Sequence, residues 1–86
     1  MKIKKQLIKR EIAGDVILVP VGQTVLDNNG LFVLNEVGAD IWDLLPQVET
    51  PEEICGHILR EYDITEDEAM QDVCEFLNRL RKLEII

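Results

Sequence analysis

The sequence contains no serine and a single histidine, His57. A chain without serine has no seryl nucleophile, so a Ser-His-Asp arrangement is excluded outright. There are only two cysteines, Cys55 and Cys74. Both fall inside helical patterns and read as reduced thiols, not as a disulfide framework. Cys55, His57 and Cys74 make a poor zinc set, because residues two apart on a helix point about 200° away from each other. The same geometry defeats a Cys–His nucleophilic pair. No glycine-rich phosphate loop follows a strand. No run of about 18 apolar residues is present, so no membrane span is expected. Met1-Lys2-Ile3-Lys4-Lys5-Gln6 leads into no apolar segment with a small-residue cleavage site, so a signal peptide is not expected and a cytoplasmic location is. These absences predict a binding module with no catalysis, no metal and no cofactor.

What is present is an acidic chain of 86 residues with 47% hydrophobic content and a net charge of −8. That length predicts one small domain spanning residues 1–86, with enough apolar residues for a modest core. The charge is unevenly placed. Lys2, Lys4, Lys5, Lys9 and Arg10 open the chain, and Arg79, Arg81 and Lys82 lie near its end. Between them Arg60 is the one basic residue, while every carboxylate except Glu84 lies in that stretch. An acidic middle disfavours nucleic acid as a partner. Acids that open helices and bases that close the last one match the helix dipoles.

Residues 7 to 12 read as an outer strand, Ala13-Gly14-Asp15 as a turn, and Val16-Ile17-Leu18-Val19 as a β-branched strand limited by Pro20. Together they predict a hairpin. Gln23-Thr24-Val25-Leu26 is expected to extend the sheet. Asp27-Asn28-Asn29-Gly30 is a strong turn, since Asn-Gly favours positive φ; no ligand series of calcium-loop length follows it. Leu31-Phe32-Val33-Leu34 is then a third strand. It hands directly into a helix at Asn35, whose side-chain oxygen suits an N-cap.

The first helix is expected from Glu36 to Leu45, with Val37, Ile41, Leu44 and Leu45 on one face and Pro46 ending it. Gly38 costs such a helix about 1 kcal/mol relative to alanine, which suggests close backbone approach to a neighbour. Two capping boxes, Thr50-Pro51-Glu52-Glu53 and Thr65-Glu66-Asp67-Glu68, open the second and third helices. The second carries Ile54, Ile58, Leu59 and Tyr62. The third carries Ala69, Val73, Phe76, Leu77 and Leu80 and runs to about Leu83. The order is βββ then ααα, an α+β chain with no repeats.

The stretch Leu34-Asn35-Glu36-Val37-Gly38-Ala39-Asp40-Ile41-Trp42-Asp43-Leu44-Leu45 resembles the central motif of the PqqD-like family. These are the peptide chaperones also called RiPP recognition elements. Thr50-Pro51-Glu52-Glu53-Ile54, Tyr62-Asp63-Ile64, Asp72-Val73-Cys74-Glu75-Phe76-Leu77 with Leu80, and Ile85-Ile86 resemble its later pieces. Gly14-Asp15-Val16-Ile17-Leu18-Val19-Pro20 fits its second strand. The segment from Val21 to Gly30 departs from the pattern by its length.

The resemblance implies a winged helix-turn-helix, with a three-stranded antiparallel sheet on three helices. It implies recognition of the leader of a ribosomally made precursor peptide, which docks as an added antiparallel strand between the third strand and the third helix. It also implies a partner enzyme, often a radical S-adenosylmethionine (SAM) enzyme, that modifies the same peptide. An exposed strand edge offers the unpaired N–H and C=O groups that such docking needs. The expected contacts are Leu31, Phe32, Val33 and Leu34, with Met70, Cys74 and Arg81 on one flank of the third helix; Asp72, Arg79 and Leu83 form the other flank. Arg79, Arg81 and Lys82 would favour an acidic leader. The same fold also serves winged-helix DNA-binding regulators, and a structural adaptor for the enzyme is a third reading. A free edge allows a monomer or an edge-paired homodimer.

Overall fold

The computed structural model describes residues 1–22 and 32–86. The expectations for residues 23–26, for the turn at 27–30 and for Leu31 lie outside the described residues. Three antiparallel strands precede three helices. The strands are β1 (Leu7–Ile12), β2 (Asp15–Pro20) and β3 (Phe32–Leu34), in the spatial order β1-β2-β3. The helices are α1 (Glu36–Leu44), α2 (Pro51–Glu61) and α3 (Glu66–Lys82). This is the expected α+β order, and its topology fits a winged helix-turn-helix.

Each helix starts where its cap residue predicts. The Asn35 side chain accepts from the Gly38 N–H, Thr50 from the Glu53 N–H, and Thr65 from the Glu68 N–H, each satisfying a donor that the helix itself cannot. Pro46 does not simply end α1. It sits inside a 3₁₀ turn, Leu45–Gln47, that extends the helix and places Leu45 and Val48 in the core.

The helices pack on one face of the sheet. Leu18, Phe32 and Leu34 of the sheet meet Ile41, Trp42, Leu45, Ile54, Ile58, Val73, Phe76, Leu77 and Leu80, all buried. Burying one such side chain contributes about 1.5–3 kcal/mol, so this layer is the main source of stability. Gly38 is buried within it. A Cβ there would lie 3.1 Å from Asn35 Oδ1 and 3.4 Å from Phe76 Cε1, which is the close approach its presence in a helix suggests. Polar links join the elements at the edges: Lys9 pairs with Asp43 at 2.5 Å, tying β1 to α1, and Lys5 Nζ donates to the Leu83 carbonyl at 2.7 Å. Buried Cys55 has a raised pKa through burial first and the nearby Glu66 second, as expected of an inert thiol.

Two backbone conformations are paid for by non-glycine residues. The β1–β2 turn has positive φ at both Ala13 (52°) and Gly14 (86°), the requirement of a type I′ hairpin turn. At the end of α3, Glu84 has φ 57°. There the Glu84 N–H donates to the Arg81 carbonyl and the Ile85 N–H to the Leu80 carbonyl. That is the Schellman pattern, with buried Ile85 against buried Leu80. A left-handed residue costs about 1–2 kcal/mol when it is not glycine or asparagine. Ala13→Asn and Glu84→Gly are therefore each expected to stabilise the chain by roughly 0.5–1 kcal/mol, raising the thermal midpoint by about 2–8 °C in a calorimetric scan.

The Tyr62 hydroxyl donates to Asp40 Oδ2, joining the end of α2 to α1. This bond, then burial, raises the phenol pKa well above its ordinary value. Because the folded chain holds the proton more tightly than the unfolded chain, the stability from this link is complete below about pH 10 and is lost as the pH rises through the folded value. Tyr62→Phe is expected to cost about 1 kcal/mol by urea denaturation near pH 8. The gap between variant and parent should narrow at about pH 11.

Candidate functional site

Among the described residues β3 is an edge strand, and the pairing register shows which of its backbone groups no described strand takes up. The two-residue turn at Ala13-Gly14 makes Ile12↔Asp15 a hydrogen-bonded pair, and such pairs alternate along an antiparallel ladder. The Val21 N–H donates to the Gln6 carbonyl at 3.1 Å, which continues the same alternation beyond the strand ends. Asp15, Ile17 and Val19 therefore turn their N–H and C=O groups toward β1. Val16 and Leu18 turn theirs toward β3, where they meet Leu34 and Phe32. Val33, opposite Ile17, is left with both its N–H and its C=O directed away from the sheet, toward the open edge.

The side chains follow the pleat. Phe32 and Leu34 are 4% and 5% exposed and face the helices, while Val33 is 54% exposed on the other face. Beside the free edge lies a cleft of about 470 Å³ between β3, α1 and α3. Leu34, Val37, Gly38, Ile41 and Phe76 form its apolar lining, and Asp15, Asn35, Asp72, Glu75 and Arg79 its polar lining. The Phe32 and Phe76 rings meet edge to face, with centroids 6.0 Å apart and planes at 85°, an arrangement the ring quadrupoles favour. The Arg79 guanidinium lies 4.5 Å from the Phe32 ring centroid, a cation–π contact.

The cleft uses one flank of α3. With Phe76 facing Phe32, Asp72 one turn before it and Arg79 one turn after it share that side. Cys74, two residues from Phe76, points about 160° away. Met70, Cys74 and Arg81, the flank expected from the sequence, do not line this cleft. Met70 is half-buried against the core, Cys74 is exposed, and exposed Arg81 donates to Asn78 Oδ1 at 3.4 Å. Phe32, Val33 and Leu34 form β3, and Val33 and Leu34 line the cleft; Leu31 lies outside the described residues. Among the described residues no cluster of three His, Cys, Asp or Glu side chains is placed to hold a metal ion. None of the described helices is long and apolar enough to cross a membrane.

Asp15, Val37, Glu75 and Phe76 were missed as site residues. Phe76 read as core from its helical spacing, and it is core as well as cleft wall. Gly38, with no side chain, is a sequence signal for where α1 is closely approached, but it does not say which flank of α3 faces the cleft.

The family model described as Coenzyme PQQ synthesis protein D (PqqD) matches residues 16–86. No curated protein matches the chain. Two solved structures are similar over nearly the whole chain. One is TbiB1 in complex with the TbiA(beta) leader peptide: 32% identity, 99% of this chain and 93% of that one covered, and a TM-score of 0.73. The other is lasso peptide synthetase B1 complexed with the leader peptide: 16% identity, 94% and 89% covered, and a TM-score of 0.71. The second likeness is one of fold alone.

Phe76 and Asp72 sit one turn apart on the same flank but differ in burial. Phe76→Ala is expected to cost about 3–5 kcal/mol in denaturant melts, because it opens a cavity against Phe32. Asp72→Asn should stay within roughly 0.5 kcal/mol of the parent.

Proposed function

Because this chain belongs to the PqqD family, we propose that it binds the leader segment of a ribosomally made precursor peptide and presents it to a modifying enzyme. The observation that carries this reading is the N–H and C=O of Val33, unpaired among the described residues, beside an open apolar cleft. An extended peptide laid antiparallel to β3 would satisfy both groups, continue the sheet, and gain affinity from main-chain bonds alone. The 32% identity to TbiB1, solved with a leader peptide, supports a leader as the ligand.

The residues in contact would be Phe32, Val33 and Leu34 along the strand, with Asp72, Glu75, Phe76 and Arg79 on α3. The chain itself performs no catalysis; chemistry belongs to its partner, for which a radical SAM enzyme is one family expectation. The peptide is met in the cytoplasm, where it is made. The edge that takes the leader could equally pair with its own copy, so a homodimer would compete with the peptide. Duplex DNA is the poorer fit, since Asp72 and Glu75 would confront phosphates across the cleft.

Titration of the ¹⁵N-labelled chain with the TbiA(beta) leader, and with the leader of a precursor encoded beside this gene, should shift the Val33 amide and the cleft residues first. Val33→Pro removes that N–H without removing a bond to β2, and proline is tolerated at a sheet edge. It is expected to weaken leader binding about tenfold, the effect of one lost hydrogen bond near 1.4 kcal/mol, with little change in the melting temperature. Unchanged affinity in Val33→Pro, or shifts confined to another face, would overturn the proposal.

A further inference from the structure

The cleft beside β3 is charged as well as apolar, and its charges are not balanced. Asp15, Asp72 and Glu75 line it against one cation, Arg79. Arg79 is seated over the Phe32 ring. Among the described residues the close ion pairs do not include it: Lys9–Asp43 stands alone, and neither residue lines the cleft. Asp15 and Asp72 therefore face the cleft with no cationic partner among the described residues, and Glu75 accepts just one side-chain bond, from Gln71 at 3.4 Å. Arg81 and Lys82, which from sequence would favour an acidic leader, do not line the cleft.

We infer that the leader taken by this groove is cationic, carrying a lysine or arginine on the N-terminal side of the residue that pairs with Val33. This rests on the leader-binding reading and specifies the chemistry of its ligand. The register supplies the position. The peptide residue opposite Val33 shares Val33's outward face, and its two neighbours turn toward α3, on the face of Phe32 and Leu34. In an antiparallel peptide the neighbour before the paired residue lies beside Leu34, and the one after it lies beside Phe32. Arg79 occupies the Phe32 end. α3 runs from Asp72 toward Arg79, so Asp72 lies toward the other, Leu34 end, and Asp15 lies just beyond the Val16↔Leu34 pair on the Val33 face. A cation entering at the Leu34 end meets carboxylates, whereas one entering at the Phe32 end meets a guanidinium. The net charge of −8 adds a long-range field that steers a basic segment toward the chain and falls off with salt.

The test uses the full chain and a random library of 12-residue displayed peptides, selected on the immobilised protein and sequenced. Selected peptides should be net positive, with Lys or Arg concentrated on the N-terminal side of a short apolar stretch; concentration on the C-terminal side would overturn the assigned position. Their affinities, measured by calorimetry, should weaken about fivefold in the double variant Asp72→Asn/Glu75→Gln, the scale of two exposed ion pairs, and by a similar factor between 50 and 300 mM salt. Asp72→Lys should move the selection toward acidic peptides, which guards against a general loss of folding. Neutral or acidic winners that bind both proteins equally, yet lose binding in Val33→Pro, would overturn the charge inference and leave the leader reading standing. A selection that yields no binder would bring down the leader reading and this inference with it.

Discussion

The contact between Phe32 and Phe76 governs much of this structure. It is the point where the last strand of the β half is pressed against the last helix of the α half, two rings meeting edge to face at 6.0 Å. Because Phe32 is held from below by a helix, β3 needs no fourth strand to stay in place, and its outer edge can remain unpaired. Gly38 makes the contact possible, since a side chain there would press on both the Asn35 cap and the Phe76 ring. A strand of three residues is short for a docking edge. Short edge strands are also how proteins avoid unwanted pairing with their own copies. Here the same brevity concentrates the free backbone groups of the described strand at Val33.

In the proposed docking mode two kinds of recognition separate. Main-chain groups at Val33 would fix where and in which register a peptide docks, for almost any sequence. The cleft wall on α3, with its apolar centre and its carboxylates, would distinguish one peptide from another. Both depend on the hairpin turn that directly precedes Asp15. The two-residue connection at Ala13-Gly14 sets the parity of the β1–β2 ladder, the parity decides that Val16 and Leu18 bond to β3, and Val33 is free as a consequence. A one-residue slip in that hairpin would offer Phe32 and Leu34 to the edge and turn their side chains out of the core.

The elements themselves were legible in the sequence. The capping-box sequences at Thr50 and Thr65 and the Asn35 cap marked helix starts, and in each the cap side chain accepts the first-turn N–H that its residue type predicts. The turn at Ala13-Gly14 and the β-branched run before Pro20 marked the hairpin. Two features were not legible because the residues that make them are poor advertisements for them. Ala13 and Glu84 both take left-handed conformations that glycine or asparagine would signal. The closure of α3 by Glu84 exists because Ile85 is drawn into the core, a tertiary cause with no local mark. Pro46 likewise reads as a stop, yet the chain continues one 3₁₀ turn through it to bury Leu45 and Val48.

Sequence alone determined the order of strands and helices, their caps and the apolar stripe of each helix, because these depend on neighbours within about four residues. It also carried the family motif around Asn35. It could not choose a flank for α3. Met70, Cys74 and Arg81 and the alternative of Asp72 and Arg79 lie equally beside the stripe centred on Val73 and Phe76, and helical periodicity treats the two sides alike. Only the packing of Phe76 on Phe32 breaks that symmetry, bringing Asp72, Glu75 and Arg79 to the open edge of β3 and turning Cys74 to solvent. The charge of the groove was decided there.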